Sequence, residues 1–478
     1  MRPLSVVVLV LLLSGCVWVF RSVDTEALDP DAPPVAVESP LKVHFEDGSV
    51  AVFPLGAAFR ADSLFGPGRR YGLDLSEPRP VEAVALEEVA ALEVYEEAVN
   101  VPATILATTA ATAVGVVGGV ALFKALFGSC PTVYDVAGPD GAAVLEAELF
   151  SNSVAPLFEM RDTDRLHAQP DAAGRLALEV RNEALETHYL NHLELVEVRH
   201  AEGEAAYPAG DSAWVVRDAR PVAAARDRAG RDVSAALAAA DGDAYATAPV
   251  VLDAVTEADP MDHVDLVLPA PASDSAAVVL RLRNSLLSTV LFYEFMLDQQ
   301  GARALDWIGR DLAEVGTVVE MGDFYVRRMG LRVEVRDGGT YREVGRVTEV
   351  GPIAWSDVAV PVPVTEPDSL RLRLRFVADA WRIDRAAVAG AVRRAPIRTH
   401  PLAGVSGAEV PDALERMGRA DEAYHVTGPG DRFEVAFEPG PADGARTFFL
   451  AGQGYYIEWV RGEWVRDRLA GPAFRATD

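Results

Sequence analysis

The chain of 478 residues has two cysteines, Cys16 and Cys130, and two lysines, Lys42 and Lys124. So few cysteines cannot build a disulfide framework or a cysteine-based zinc site. Positive charge is also scarce. Its 44 Lys and Arg face 72 Asp and Glu, a formal charge of -28. Nucleic acid demands cationic surface and is excluded as a partner, and a general attraction to anionic lipid is excluded on the same ground. Nearly all the cations are arginine, as a GC-rich genome or a salt-adapted surface would leave them. No Walker loop, dinucleotide fingerprint, Gly-x-Ser-x-Gly elbow or His-Glu-x-x-His is present, and Gly404-Val405-Ser406-Gly407 lacks the elbow spacing. No cofactor and no metal are expected. What the chain does have is core material: half of its residues are hydrophobic. Its length corresponds to roughly three domains.

The N-terminus carries an address. After Met1-Arg2, the stretch Leu4 to Gly15 is free of charge, and Leu13-Ser14-Gly15-Cys16 closes it with small residues. A positive start, a short apolar core and small residues make a signal peptide over 1–15. The last four residues resemble the lipobox of bacterial lipoproteins. That resemblance implies that Cys16 is acylated with palmitate-like chains and becomes the mature N-terminus, leaving Cys130 without an intramolecular partner. Val17, standing where an Asp commonly signals inner-membrane retention in that class, implies the outer membrane. Val17-Trp18-Val19-Phe20 prolongs the apolar run to Arg21, so an uncleaved signal anchor is the alternative.

The predicted fold is mainly β. Residues 16–40, with four prolines, read as a tether. Residues 41–98 read as a small β-barrel-like domain: Leu41–Phe45 alternates, Asp47-Gly48 turns, and Val50–Phe53 returns. Residues 99–128 are predicted to hold an apolar helix, since 103–123 carry no charge. Ala111, Gly115 and Gly119 stand four apart in it, the spacing that lets helices approach closely. It reads as a self-associating glycine zipper, a buried helical hairpin or a transmembrane helix. Two β-sandwich-like domains are predicted over 129–275 and 276–395, the second with helices inserted around 286–321, and a C-terminal β-region over 396–478. Leu178–Thr187 matches Leu280–Thr289 at five of ten positions, an echo consistent with duplication.

Chemistry is harder to find. His188 and His192 have the spacing of a helical zinc pair, but Tyr189 stands where a zincin needs glutamate, and flanking apolar residues suggest a strand. On a strand the imidazoles stand roughly 13 Å apart and share no metal. Asp162/Asp164 and Asp241-Gly242-Asp243 are acidic pairs without an EF-hand series, and read as polar turns. The loose likeness of Ser129–Tyr134, Asn182 with Glu186–Leu190, and Phe448–Tyr456 to uncharacterised bacterial envelope proteins implies no activity.

Two surfaces are candidates for binding. One is aromatic, with Tyr455 and Trp459 sharing a strand face, against the alternative of a core edge. The other is an arginine face: Arg332 and Arg336 on one alternating run, Arg371, Arg373 and Arg375 on another, and Arg281 with Arg283 on a third. Neighbouring acids such as Glu334 could neutralise it. The reading is a lipid-anchored envelope protein acting as a non-catalytic binding or scaffolding module. Its expected partners are the membrane, a second copy through 103–123, and an anionic glycolipid or polysaccharide. The alternative is a hydrolase of an envelope polymer using an acidic pair with a raised pKa.

Overall fold

The computed structural model describes, apart from short gaps, residues 18–23, 34–94, 106–108, 130–291 and 319–458. The signal peptide, Cys16, Ala111, Gly115, Gly119 and Trp459 lie outside the described residues. The molecule is mainly β, as expected, and among the described residues all strand pairing is antiparallel.

Nine strands form sheet I: β1 (Trp18–Val23), β2 (Val35–Val37), β3 (Leu41–Phe45), β4 (Val50–Phe53), β5 (Ala57–Arg60), β6 (Ser63–Tyr71), β7 (Arg79–Ala85), β8 (Val89–Val94) and β9 (Leu106–Thr108). They run in the order β2-β5-β6-β4-β3-β8-β1-β9, with β7 also on β6. The predicted hairpin is there, Leu41 facing Phe53 and His44 facing Val50. The barrel is not: among the described residues no pair joins β2 to β9. Two boundaries shift. β1 lies within the expected tether, and Leu106–Thr108 of the expected helix is instead an edge strand on β1. No helix among the described residues is long and apolar enough to cross a membrane. Leu41, Val43, Phe45, Phe53 and Phe59 fill the sheet's own core. Val50, Val52 and Tyr71 pack on the next module.

That module begins with β10 (Thr132–Asp135), β11 (Val144–Glu148), β12 (Met160–Leu166), β13 (Leu176–Arg181) and β14 (Glu186–His200). It is then interrupted by ten strands of another: β15 (Glu204–Ala209), β16 (Ser212–Pro221), β17 (Ala224–Asp227), β18 (Met261–Pro269), β19 (Ala276–Asn284), β20 (Leu331–Asp337), β21 (Thr340–Val347), β22 (Ser356–Val362), β23 (Ser369–Val377) and β24 (Trp381–Ala395). It resumes with β25 (Arg398–Pro401), β26 (Gly404–Ser406), β27 (His425–Thr427), β28 (Arg432–Phe437) and β29 (Ala445–Glu458). The two sandwiches are therefore nested, not consecutive. Strand pairing ignores the expected boundary between 275 and 276, because β18 and β23 are neighbours in one sheet and β14 and β29 in another.

Sandwich one stacks sheet II (β11-β10-β13-β28-β26) on sheet III (β12-β29-β14-β25, with β27 on β14). Sandwich two stacks sheet IV (β15-β16-β24-β19-β22) on sheet V (β17-β18-β23-β20-β21). If β16 and β18 to β24 are lettered B to I, the central orders become B-I-D-G and C-H-E-F. This is the strand order of an eight-stranded jelly roll. Sandwich one gives the same two orders, β11-β10-β13-β28 and β12-β29-β14-β25, with strand I supplied by β10 at the start of the chain instead of the end. It is the same fold, permuted by one strand. The sequence echo falls on the equivalent strand of each copy, β13 and β19. Both end in a buried asparagine, Asn182 and Asn284. Asn182 Nδ2 donates to the carbonyls of Glu186 and Thr427, and Asn284 Oδ1 accepts the amides of Val350 and Gly351. Each side chain ties its strand end to a neighbouring segment.

The alternating runs create the cores. On β23, Leu370, Leu372, Leu374 and Phe376 are fully buried, facing Val278, Leu280 and Leu282 of β19. The helical insertion is seen in part, as one turn at Leu287–Val290 and one wide turn at Phe324–Met329. The sandwiches meet where Val196, Val198, Phe449 and Ala451 on the outside of sheet III pack on Ala206, Ala213, Val215 and Ala395. The β15–β16 hairpin curls back until β15 touches β22, covering Ala277 and Val279 on the outside of sheet IV.

Candidate functional site

The outer face of sheet V carries most of the predicted arginine face. Because the buried leucines of β23 point inward, Arg371, Arg373 and Arg375 point outward. β20 lies beside β23 with Arg332 opposite Arg375 and Glu334 opposite Arg373, which places Arg336 next to Arg371. β21 adds Arg346 opposite Arg332 and Tyr341 opposite Arg336. β18 adds His263 opposite Arg375 and Asp265 opposite Arg373, and β17 sets Arg226 against Asp265. The residues on β17, β18 and β21 escaped the sequence reading. The alternation in Met261–Pro269 signals an outward Asp265 and His263, but only the pairing shows which arginines they meet.

Charge is arranged in three transverse rows. The middle row is self-neutralised. Arg373 makes a forked pair with Asp265, at 2.7 and 2.9 Å, and its guanidinium lies over the Tyr341 ring at 4.2 Å. Arg373 holds the Asp265 carboxyl below its usual range against the opposing effect of burial. Glu334 is the third member and is nearly buried. The first row holds Arg346, Arg332 and Arg375. Glu343 engages Arg346 at 2.8 Å. Arg332 donates to the carbonyl of Arg327, and its Nε is closed off without a partner. His263 adds no charge there, because burial and Arg373 push its pKa down. The last row holds Arg336 and Arg371, with Glu366 at 3.7 Å from Arg371. Arg336 and Arg375 make no ion pair among the described residues.

Arg281 and Arg283 are elsewhere, at the joint between the sandwiches. Arg281 pairs with Asp384 at 3.1 Å and Asp357 at 3.5 Å, and Arg283 stacks on Trp355 at 4.7 Å. Asp357 also binds Arg165 of β12 at 3.1 Å. Tyr455 is 1% exposed and stacks on Tyr189 at 4.5 Å, so the expected aromatic platform is core at that position. Its burial follows from the pairing of β29 with β14 inside sandwich one.

Asp162 and Asp164 are on β12, not in a turn. With Glu148 they form an acidic cluster in the joint. Burial pushes the Asp162 carboxyl up to about 6 and raises Asp164 well above its ordinary value, with neighbouring carboxylates adding to both. These are paired acids of the kind a hydrolase needs, yet each is spent on backbone amides. Asp162 accepts from Phe150 and Thr163, Asp164 from Glu148, and Glu148 from Ile353 and Ala354. The bonds of Glu148 to Ile353 and Ala354 cross from one sandwich to the other and fasten them together. A cavity of about 480 Å³, lined by Asp171, Glu202 and Arg446 among others, includes none of the three acids in its wall. Asp241 accepts the amide of Asp243 in a turn. His188 and His192 lie on β14. Among the described residues no group of His, Cys, Asp and Glu could hold a metal.

No protein-family model and no curated protein matches the sequence. One chain of the structure of the infectious bursal disease virus Gt strain aligns over 65% of this chain and 84% of its own length, at 11% identity and a TM-score of 0.15.

Proposed function

We propose that this protein is a non-catalytic module of the bacterial envelope, lipid-anchored at Cys16 on the outer membrane, which binds an anionic glycolipid or polysaccharide on the outer face of sheet V. The observation that carries the reading is local charge. On a chain of formal charge -28, this face gathers Arg226, Arg332, Arg336, Arg346, Arg371, Arg373 and Arg375 around Asp265, Glu334, Glu343 and Glu366. Guanidinium forks match phosphate and carboxylate oxygens. The surrounding negative field repels other polyanion approaches, so binding is confined to this face. The closing of the acidic cluster around backbone amides supports a binding role over hydrolysis.

Binding of the protein to vesicles carrying phosphorylated glycolipid, set against neutral vesicles, tests this. Affinity is expected to fall as salt rises, because exposed charges are screened over about 8 Å at physiological ionic strength. Equal binding to both vesicles, or binding indifferent to salt, refutes it.

A further inference from the structure

We propose that the outer face of sheet V holds two separate anion subsites about 13 Å apart, and that its ligand is a glycan bearing a phosphate monoester at each end of that span. This rests on the polyanion reading above and adds the ligand's charge pattern to it.

The argument starts from an unfavourable arrangement. Like charges directly opposite one another on neighbouring strands destabilise a sheet. Sheet V relieves this most fully at Arg373, which has Asp265 on one side and Glu334 on the other, while Glu343, opposite Glu334, turns to Arg346. In the first row Arg332 faces Arg375 with no carboxylate paired to either among the described residues. In the last, Arg336 stands next to Arg371, whose ion-pair partner, Glu366, is a half-exposed loop residue 3.7 Å away. A bound dianion would relieve either row. A phosphate monoester offers three oxygens and nearly two charges, enough for two guanidinium forks. A carboxylate offers one charge and leaves the second arginine uncompensated.

The spacing comes from the backbone. Arg332 and Arg336 are four residues apart on β20, as are Arg371 and Arg375 on β23. At about 3.3 Å per residue, the two rows are roughly 13 Å apart. The row between them is unsuited to a third anion, since Arg373 is committed to Asp265 and Glu334 adds a negative charge. It does offer a flat platform, the Arg373 guanidinium stacked on Tyr341. A ligand that fits is charged at both ends and neutral in the middle. A uniformly charged polysaccharide is repelled at its centre.

Calorimetric titration of the full-length protein with three probes tests this: a glucosamine disaccharide phosphorylated at both ends, the same disaccharide with one phosphate, and an oligouronate of similar length. The bisphosphate is expected to bind roughly tenfold or more tightly than the monophosphate, because the second contact becomes intramolecular. Arg332→Gln with Arg375→Gln, or Arg336→Gln with Arg371→Gln, should each lower the bisphosphate affinity to the monophosphate level. Equal affinity for the two phosphorylated probes, a double variant without effect, or tighter binding of the oligouronate overturns the two-subsite proposal and leaves the polyanion reading standing. No salt-sensitive binding of any probe defeats both. The comparison of mono- and bisphosphate uses unaltered protein, so it decides even where a variant folds poorly.

Discussion

Glu148 is the residue whose removal should do most to separate the two jelly rolls. It belongs to β11 of sandwich one, is 1% exposed, and its Oε2 accepts the amides of Ile353 and Ala354 in sandwich two at 2.7 and 2.9 Å. Gly351 leaves the space for it: a Cβ there would lie 2.9 Å from the same oxygen, at a φ of +116° that disfavours any side chain. Hydrogen bonds to a charged group contribute about 1.5–3 kcal/mol each. Glu148→Ala also relieves the crowding of Asp162 and Asp164, which offsets part of the loss, so the net cost should be about 2–4 kcal/mol. Glu148→Gln keeps an acceptor oxygen and should cost about half of that. Urea unfolding measures the cost, and proteolysis near 350–355 reports whether the joint has loosened. The charge itself can be followed separately. Asp162 titrates at about 6 when folded, above its ordinary value of 3.8. A raised carboxyl gives stability that is complete below the unfolded pKa and is lost as pH rises through the folded one. In Glu148→Gln the folded value should fall, narrowing that window from the top, as carboxyl NMR would show. An unchanged urea midpoint in Glu148→Ala, with an unchanged Asp162 titration in Glu148→Gln, would refute this account of the joint.

Three other variants have defined expected outcomes. Cys16→Ala should abolish palmitate labelling and leave an unprocessed precursor, and equal labelling of mutant and wild type removes the lipid anchor from the proposal. Burial pushes His188 down to about 3 and His425 down to about 4, so each should cost stability as pH falls from the unfolded value of 6.5 toward the folded one, and His425→Leu should flatten the acid limb of a melting-temperature profile. The same variant removes two buried nitrogens without partners and should gain about 1 kcal/mol at neutral pH, read by urea unfolding. Asp265→Asn should weaken the fork to Arg373 and lower stability by about 1 kcal/mol or less, since both groups are partly exposed, while strengthening glycolipid binding by freeing an arginine.

Local pattern was legible and long-range pairing was not. Leu370–Phe376 shows its alternation in the sequence, and the arginines point outward as that pattern requires. The Leu178 and Leu280 runs, alike at five of ten positions, fall on equivalent strands of the two jelly rolls, each closed by a buried asparagine. What alternation cannot show is the partner. β14 reads as a strand from Leu193, Leu195 and Val198, but that it waits for β29 depends on contacts far apart in the chain. Hence the expected consecutive sandwiches differ from the nested ones. The same limit applies to the candidate site, where Arg332 and Arg375 were legible as exposed and their juxtaposition was not. Tyr455 misled because an aromatic on an alternating strand looks the same whether its face meets solvent or Tyr189.

Nesting also dictates a timetable for synthesis. His200 ends β14 beside Ala445, which starts β29. At about 5–20 residues per second, the ribosome needs roughly 10–50 s to deliver that partner. Throughout that interval β12 and β14 have an unpaired edge between them, and the sheet over Leu190, Leu193 and Leu195 lacks β26 and β28, the condition under which chains aggregate. The inserted jelly roll waits less long: β16 ends at Pro221, its partner β24 starts at Trp381, and both are made before β25 emerges. A chain released early, before β28 and β29, should therefore carry one finished jelly roll on an unfinished one. Quality control of this protein would have to recognise the flanks and not the middle.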